Sequence, residues 1–95
     1  MSSLLKNYSN IKKKYPKAIL LYRIGDFYET FGNDAVIISK ILNIYLTKSL
    51  KMDYLAGFPF HALDAYLPKL VKAGYKVAIC EELQDPKNIK INIKK

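Results

Sequence analysis

Two short runs constrain this chain most. AILLYRI (residues 18–24) is apolar except for Arg23, and YKVAICEEL (75–83) is of the same kind. Both read as buried strands. The rest of the chain is organised around them. Leu4, Tyr8, Ile11 and Tyr15 recur at helical spacing with lysines between them, which predicts an amphipathic helix over about 3–14, opened by Ser2 or Ser3 and stopped before Pro16. Gly25-Asp26 is a turn signal, and FYETF (27–31) alternates as a second strand. Gly32-Asn33-Asp34 offers a helix cap, and Ile37, Ile38, Ile41 and Leu42 form the stripe of a second helix. NIYLTKS (43–49) predicts a third strand and YLAGFPFH (54–61) a fourth extended segment, joined by a short polar link.

Leu63, Tyr66, Leu67, Leu70 and Val71 form the clearest helical stripe. It ends at Gly74 and contains Pro68, which is expected to kink the helix or loosen its first turn. The tail after Gln84 offers a further strand but no hydrophobic run to anchor it. Tyr22, Tyr28, Phe31, Tyr45 and Cys80 are expected in the core, and His61 at a cap or turn. The order α, β-β, α, β-β, α, β gives an α/β fold: one small domain, a mixed sheet flanked by about three helices, with antiparallel hairpins and parallel helical crossovers. No repeat or linker divides residues 1–95.

Several function classes fall away. With a single Cys and a single His, neither an internal disulfide nor a His/Cys zinc site can form, and the one thiol fits a reducing compartment. The four glycines are too scattered for a nucleotide-binding loop. No apolar stretch is long enough to cross a bilayer, and no signal-peptide pattern opens the chain. The net charge of +8 has a location: residues 1–17 carry five Lys and no acid, and 85–95 carry four Lys and one Asp. Between them, 18–84 balances seven basic against seven acidic side chains. Basic ends around a neutral body suit a polyanionic partner, and equally suit mere solubility.

The stretch IGDFYETF (24–31) poses the functional question. On a strand, residues two apart share a face, so Phe27 and Glu29 project together while Tyr28 points into the core. A stiff apolar ring beside a carboxylate fits a wedge that enters a duplex and reads a base edge. Phe27 as an ordinary core residue and Glu29 as a solvated acid is the plain alternative. A metal-dependent nuclease would instead use Asp26 and Glu29, with Glu81 and Glu82 at another strand end. No acid-x-Lys pair accompanies them, and Glu81 and Glu82 alternate in direction. A protein-interaction module is the third alternative.

The wider pattern favours the wedge. YRIGDFYETFGNDA, then LNIYLTK, then LAGFPFHALDAYLPKLVKAGYKVAICEELQDP resemble, in order, the N-terminal mismatch-recognition domain of the MutS family of DNA mismatch repair proteins. The resemblance covers about residues 8–95. It implies an α/β unit that approaches DNA from the minor groove, with Phe27 stacking on a mispaired base and Glu29 hydrogen-bonding to it. Gly25 and Asp26 match the turn that lifts them. Lys48 matches a loop near DNA, with Ser49 standing where many members have Arg. Phe58, Pro59 and His61 match a stretch that contacts DNA or buttresses Phe27, buttressing being the reading preferred here.

The resemblance further implies double-stranded DNA with mismatches or small loops as partner, the remaining MutS domains and a second subunit beyond this chain, and a cytoplasmic, DNA-associated location. It implies no catalysis and no cofactor in this domain, the family's ATP and Mg belonging to an ATPase domain elsewhere. The chain is accordingly expected to be a piece of a longer protein.

Overall fold

The structure, a computed structural model, describes residues 3–48, 54–82 and 89–94. Helix α1 (Ser3–Lys14) leads into a hairpin of β1 (Ile19–Ile24) and β2 (Phe27–Phe31). Helix α2 (Asn33–Leu42), the two-residue β3 (Thr47–Lys48) and β4 (Tyr54–Pro59) follow. A 3₁₀ turn (Phe60–Ala62) opens into α3 (Leu63–Lys72), and β5 (Val77–Glu82) and β6 (Ile89–Lys94) complete the order. The α/β fold class holds: the described residues form one mixed six-stranded sheet with three α-helices.

The strand order is β3-β4-β2-β1-β5-β6. Only β1 and β5 run parallel, with Ile19 opposite Val77 and Tyr22 opposite Cys80; every other pairing is antiparallel. This parallel pair joins the two apolar runs that dominate the sequence. Both strands are interior, flanked by β2 and β6, and being apolar on both sides they need cover on both faces. On one face Ile19, Leu21, Tyr28, Ala56, Phe58, Val77 and Ile79 form a core with Ala35, Ile38 and Leu42 of α2 and Leu70 of α3. On the other, α1 lays Tyr8 and Ile11 over Leu20, Tyr22, Ala78 and Cys80.

The cover on that second face is partial. Helix α1 packs on β1 and β5 and reaches the Phe31 end of β2 through Tyr8, while Phe27 at the other end of β2 is 48% exposed. The split originates where the β1–β2 ladder stops, at the Tyr22–Glu29 pair. Beyond that point two side chains take over from the backbone. The carboxylate of Asp34 accepts the Leu20 N–H at 3.1 Å, and the Tyr8 hydroxyl accepts the Phe31 N–H at 3.2 Å. That hydroxyl also meets Thr30 Oγ1 at 2.7 Å, and burial pushes its pKa up to about 12. Lys12 pairs with Asp34 at 2.8 Å, tying α1 to α2.

Several expectations are revised here. The cap expected within Gly32-Asn33-Asp34 falls on Gly32, with no side-chain cap bond, and the Asp34 carboxylate is instead engaged by Leu20 and Lys12. The third strand shrinks to Thr47–Lys48, since Asn43 takes a left-handed φ of 56° to end α2 and 44–46 leave it without a ladder. Tyr45, expected in the core, is 92% exposed. The tail strand does form, held by backbone pairing with β5 from Val77–Lys94 to Glu82–Ile89. Helix α3 continues through Pro68 and ends with the Tyr75 N–H bonded to Leu70 and the Gly74 N–H to Val71. Ser49 and the polar link lie outside the described residues.

Asp34 is buried, so its removal orphans the Leu20 N–H and leaves the Lys12 ammonium with the Ala18 carbonyl but no counter-charge. Asp34→Ala is expected to cost about 2–4 kcal/mol in urea unfolding, more than twice the cost of Lys12→Met, which leaves the Leu20 bond in place. Equal costs for the two variants would place the stabilisation in the ion pair alone.

Candidate nucleic-acid interface

The β1–β2 hairpin turns on two residues, Gly25 and Asp26, between the paired Ile24 and Phe27. Gly25 has φ 58° and Asp26 is not in the left-handed region, the pattern of a type II′ hairpin turn, in which the first position favours glycine. The turn is braced from two sides. The Arg23 Nε donates to the Gly25 carbonyl at 2.6 Å, and the Phe60 N–H donates to the Asp26 carbonyl at 2.8 Å.

The brace extends into the sheet. The guanidinium of Arg23 lies 4.0 Å from the centre of the Phe60 ring, 5.7 Å from that of Tyr28, and 3.5 Å from a Glu81 carboxylate oxygen. Tyr28 donates its hydroxyl to the same carboxylate. Burial first, and then the bond to Glu81 and its charge, push the Tyr28 pKa up to about 12, so the ring remains a neutral donor. Side chains from β1, β2, the 3₁₀ turn and β5 thus converge beneath one exposed hairpin tip.

Along β2 the pleat sorts the side chains. Tyr28 and Thr30 are buried, Phe27 is 48% exposed, and Glu29 and Phe31 are half-buried. Phe27 faces Pro59 of β4, and Glu29 sits between Tyr22 of β1 and Gly57 of β4. Phe27 and Glu29 therefore share the part of the sheet that α1 leaves open. With Tyr45, Thr47, Leu55, Ala56 and Gly57 they line a shallow depression of about 250 Å³. Partial desolvation raises the pKa of Glu29 above the ordinary glutamate value. Among the described residues no cation forms a salt bridge with it to offset that burial.

The structure brings together Phe27, Glu29, the Gly25-Asp26 turn and Pro59. It separates two other candidates from them. Phe58 is 2% exposed, on the helix-covered face, with its ring 5.9 Å from Tyr28 and 5.0 Å from Tyr66. It has no surface to offer a ligand and supports Phe27 only through Tyr28, its partner in the ladder. Lys48 pairs with Tyr54, its Nζ 5.5 Å from that ring, so it starts from the face opposite Glu29 at the sheet's edge. His61 is exposed on the 3₁₀ turn, 6.2 Å from the Phe60 ring.

Sequence reasoning gave no site role to Arg23, Phe60 or Gly57, and placed in the core Tyr45, which lines the depression. A signal existed for the first: Arg23 is the one charge in an otherwise apolar strand, and such a residue calls for a partner. Phe60 gave no signal, because both its N–H to Asp26 and its ring against Arg23 meet the turn only in the folded chain.

Comparison with known proteins agrees with this architecture. The family model described as MutS domain I matches residues 2–95. Relatives named DNA mismatch repair protein MutS include those of Flavobacterium psychrophilum, 59% identical over 97% of this chain, and Methanothrix thermoacetophila, 55% identical over 95% of it. That of Thermosipho melanesiensis is 55% identical over the whole chain. The chain spans 11%, 11% and 12% of the lengths of these three relatives. A hairpin that exposes an aromatic ring beside a half-buried carboxylate on an α/β sheet is therefore set in a chain that belongs to the MutS domain I family.

Proposed function

We propose that this domain recognises flawed base pairing in double-stranded DNA, as the reading part of a MutS-type mismatch repair protein. Phe27 enters from the minor groove and stacks on the mispaired base, and Glu29 hydrogen-bonds to that base. The observation that carries the reading is the pairing of an exposed Phe27 with a desolvated Glu29 on the open half of the sheet.

The physics runs through the cost of opening a base step. Inserting a ring unstacks two base pairs, at a cost on the order of a few kcal/mol for a paired step and less for a mismatch. Stacking on Phe27 returns roughly 1–3 kcal/mol. A flawed step therefore accepts the wedge and an intact one resists it, with DNA deformability as the discriminator and no sequence code. The ring must also resist being pushed back. The brace of Arg23, Phe60 and Tyr28 beneath the turn supplies that stiffness.

Glu29 enters a field of phosphates. Its desolvated position already favours the protonated form, and nearby phosphates add to the same direction. The protonated carboxyl donates a hydrogen bond to a ring nitrogen such as a purine N7. ATP binding, magnesium, a second subunit and the remaining domains are assigned by this reading to the longer protein. The nuclease alternative has less behind it: among the described residues no three His, Cys, Asp or Glu side chains gather at one place.

In a low-salt titration, wild type is expected to prefer a duplex with one G·T pair or one unpaired T over a fully paired duplex. Phe27→Ala should lose that preference by roughly 5- to 150-fold, the equivalent of about 1–3 kcal/mol of stacking. Its stability should fall by less than about 1 kcal/mol, because Phe27 is half exposed. A large stability loss with unchanged binding would mark Phe27 as a packing residue.

Glu29 gives a second prediction. The folded chain holds the Glu29 proton more tightly than the unfolded chain, so protonation favours the fold and ionisation opposes it. The penalty is absent below the ordinary glutamate value and grows as pH rises through the raised folded value. Glu29→Gln, which cannot ionise, should match wild type in acid and exceed it in urea unfolding at neutral pH. Mismatch affinity of wild type should weaken over the same rise in pH. A flat wild-type profile together with an unaltered Gln variant would sink the protonated contact.

A further inference from the structure

Gly57 is the residue directly opposite Glu29 in the β2–β4 ladder. Side chains of such a pair rise from the same face, about 4.5–5.5 Å apart at Cβ. Gly57 does not need to be glycine for its backbone, since its φ lies outside the left-handed region that Gly25, Gly32 and Gly74 occupy. Space is what excludes a side chain. A Cβ on residue 57 would stand 3.0 Å from Glu29 Cγ, 3.6 Å from Glu29 Cα and 2.9 Å from the Tyr28 carbonyl oxygen. The other three glycines have nothing within 4 Å of such a Cβ.

We propose that Gly57 is a positioning residue for Glu29: the missing Cβ leaves the slot in which the glutamate stem lies against β4, and so fixes the height at which its carboxyl meets a base. The inference rests on the reading of Glu29 given above for its consequence in DNA binding, and on the ladder geometry alone for the position itself. A longer residue at 57 lifts Glu29 off the sheet and out into solvent. The stem then stands beside Phe27 at the level where the base must stack, and the wedge and the carboxyl compete for one space.

The slot accounts for a second feature of the site. Glu29 is partly desolvated although it borders an open face, and lying low against β4 accounts for that. The groups facing it are Tyr22 from β1, Gly57 from β4 and Tyr45 across the depression, with Phe27 and Phe31 on its own strand. Burial alone raises its pKa. Lifting the side chain therefore acts in one direction only, toward the ordinary value.

The test is carboxyl-carbon NMR of Glu29 in wild type and Gly57→Ala, without DNA. The titration is expected to shift down toward the ordinary glutamate value in the variant. Wild type should show contacts between the Glu29 γ protons and the Gly57 α protons. An unshifted titration in a folded Gly57→Ala overturns the proposal. Should that variant fail to fold because of the Tyr28 carbonyl, the wild-type contacts decide: their presence supports the slot and their absence overturns it. With DNA, the pH profile of mismatch preference should move with the titration. If Glu29→Gln leaves mismatch preference unchanged while Gly57→Ala still shifts the titration, the base contact fails and the positioning stands.

Discussion

Tyr28 is the residue on which the exposed site depends. Its ring is buried against Phe58, its hydroxyl reaches Glu81 on β5, and Arg23 lies near its face. Each contact pins β2 in one register, and a strand has a period of two. With Tyr28 inside, Phe27 and Glu29 have no choice but the other face. The core residue thus does as much to define the site as the residues that occupy it. A one-residue slip would bury the wedge and expose the anchor.

Rigidity at the tip follows from the same arrangement. A two-residue hairpin turn at a sheet's end would ordinarily fray, since its backbone groups face water. Here both turn carbonyls are taken, one by Arg23 and one by the Phe60 N–H. Arg23 also stacks on Phe60 and pairs with Glu81, so one side chain links the turn to the element before α3 and to the interior strand β5. A guanidinium suits this, having a planar face for stacking and several donors for distinct partners. Lysine would keep the charge and lose the geometry.

The parts legible in the sequence were those set by periodicity. The amphipathic α1, the two apolar strands and the alternation in FYETF each carry a local pattern that tertiary contacts reinforce, so the α/β architecture and the split between Phe27–Glu29 and Tyr28 could be read directly. The segment 43–46 misled because β-branched and aromatic residues signal a strand only where a ladder is available, and Asn43 turns the chain away first. Tyr45 was assigned to the core on the same ground and lies in solvent. The helix start was legible in Gly32-Asn33-Asp34, with Gly32 as the cap, but the Asp34 bond to the Leu20 N–H was not, because it meets a strand donor left without a ladder partner only in the folded chain. Gly57 and Phe60 were beyond reach for a different reason. One matters for an atom it lacks, the other for an N–H and a ring that meet the hairpin turn only in the folded chain, and neither leaves a mark in composition.

On the reading proposed here, the placement of charge becomes part of discrimination. Lysines concentrate toward the ends of the sequence, while the stretch between them is neutral. Attraction to DNA of any sequence and any pairing is then a general property of the chain, and selectivity must come from the open half-face of the sheet. That face offers a ring, a carboxyl and little cationic charge. An intact duplex brought against it meets a wedge with no gap to enter and a carboxylate near its phosphates, so approach is penalised on both counts. A flawed step relieves the first by yielding to Phe27 and the second by presenting a base edge to a proton on Glu29. Specificity is a difference between two affinities, and it is sharpened as effectively by weakening the wrong complex as by strengthening the right one. A half-buried carboxyl with no salt-bridge partner among the described residues costs the free domain stability, and that cost is intelligible where the same group repels the duplex it should leave alone.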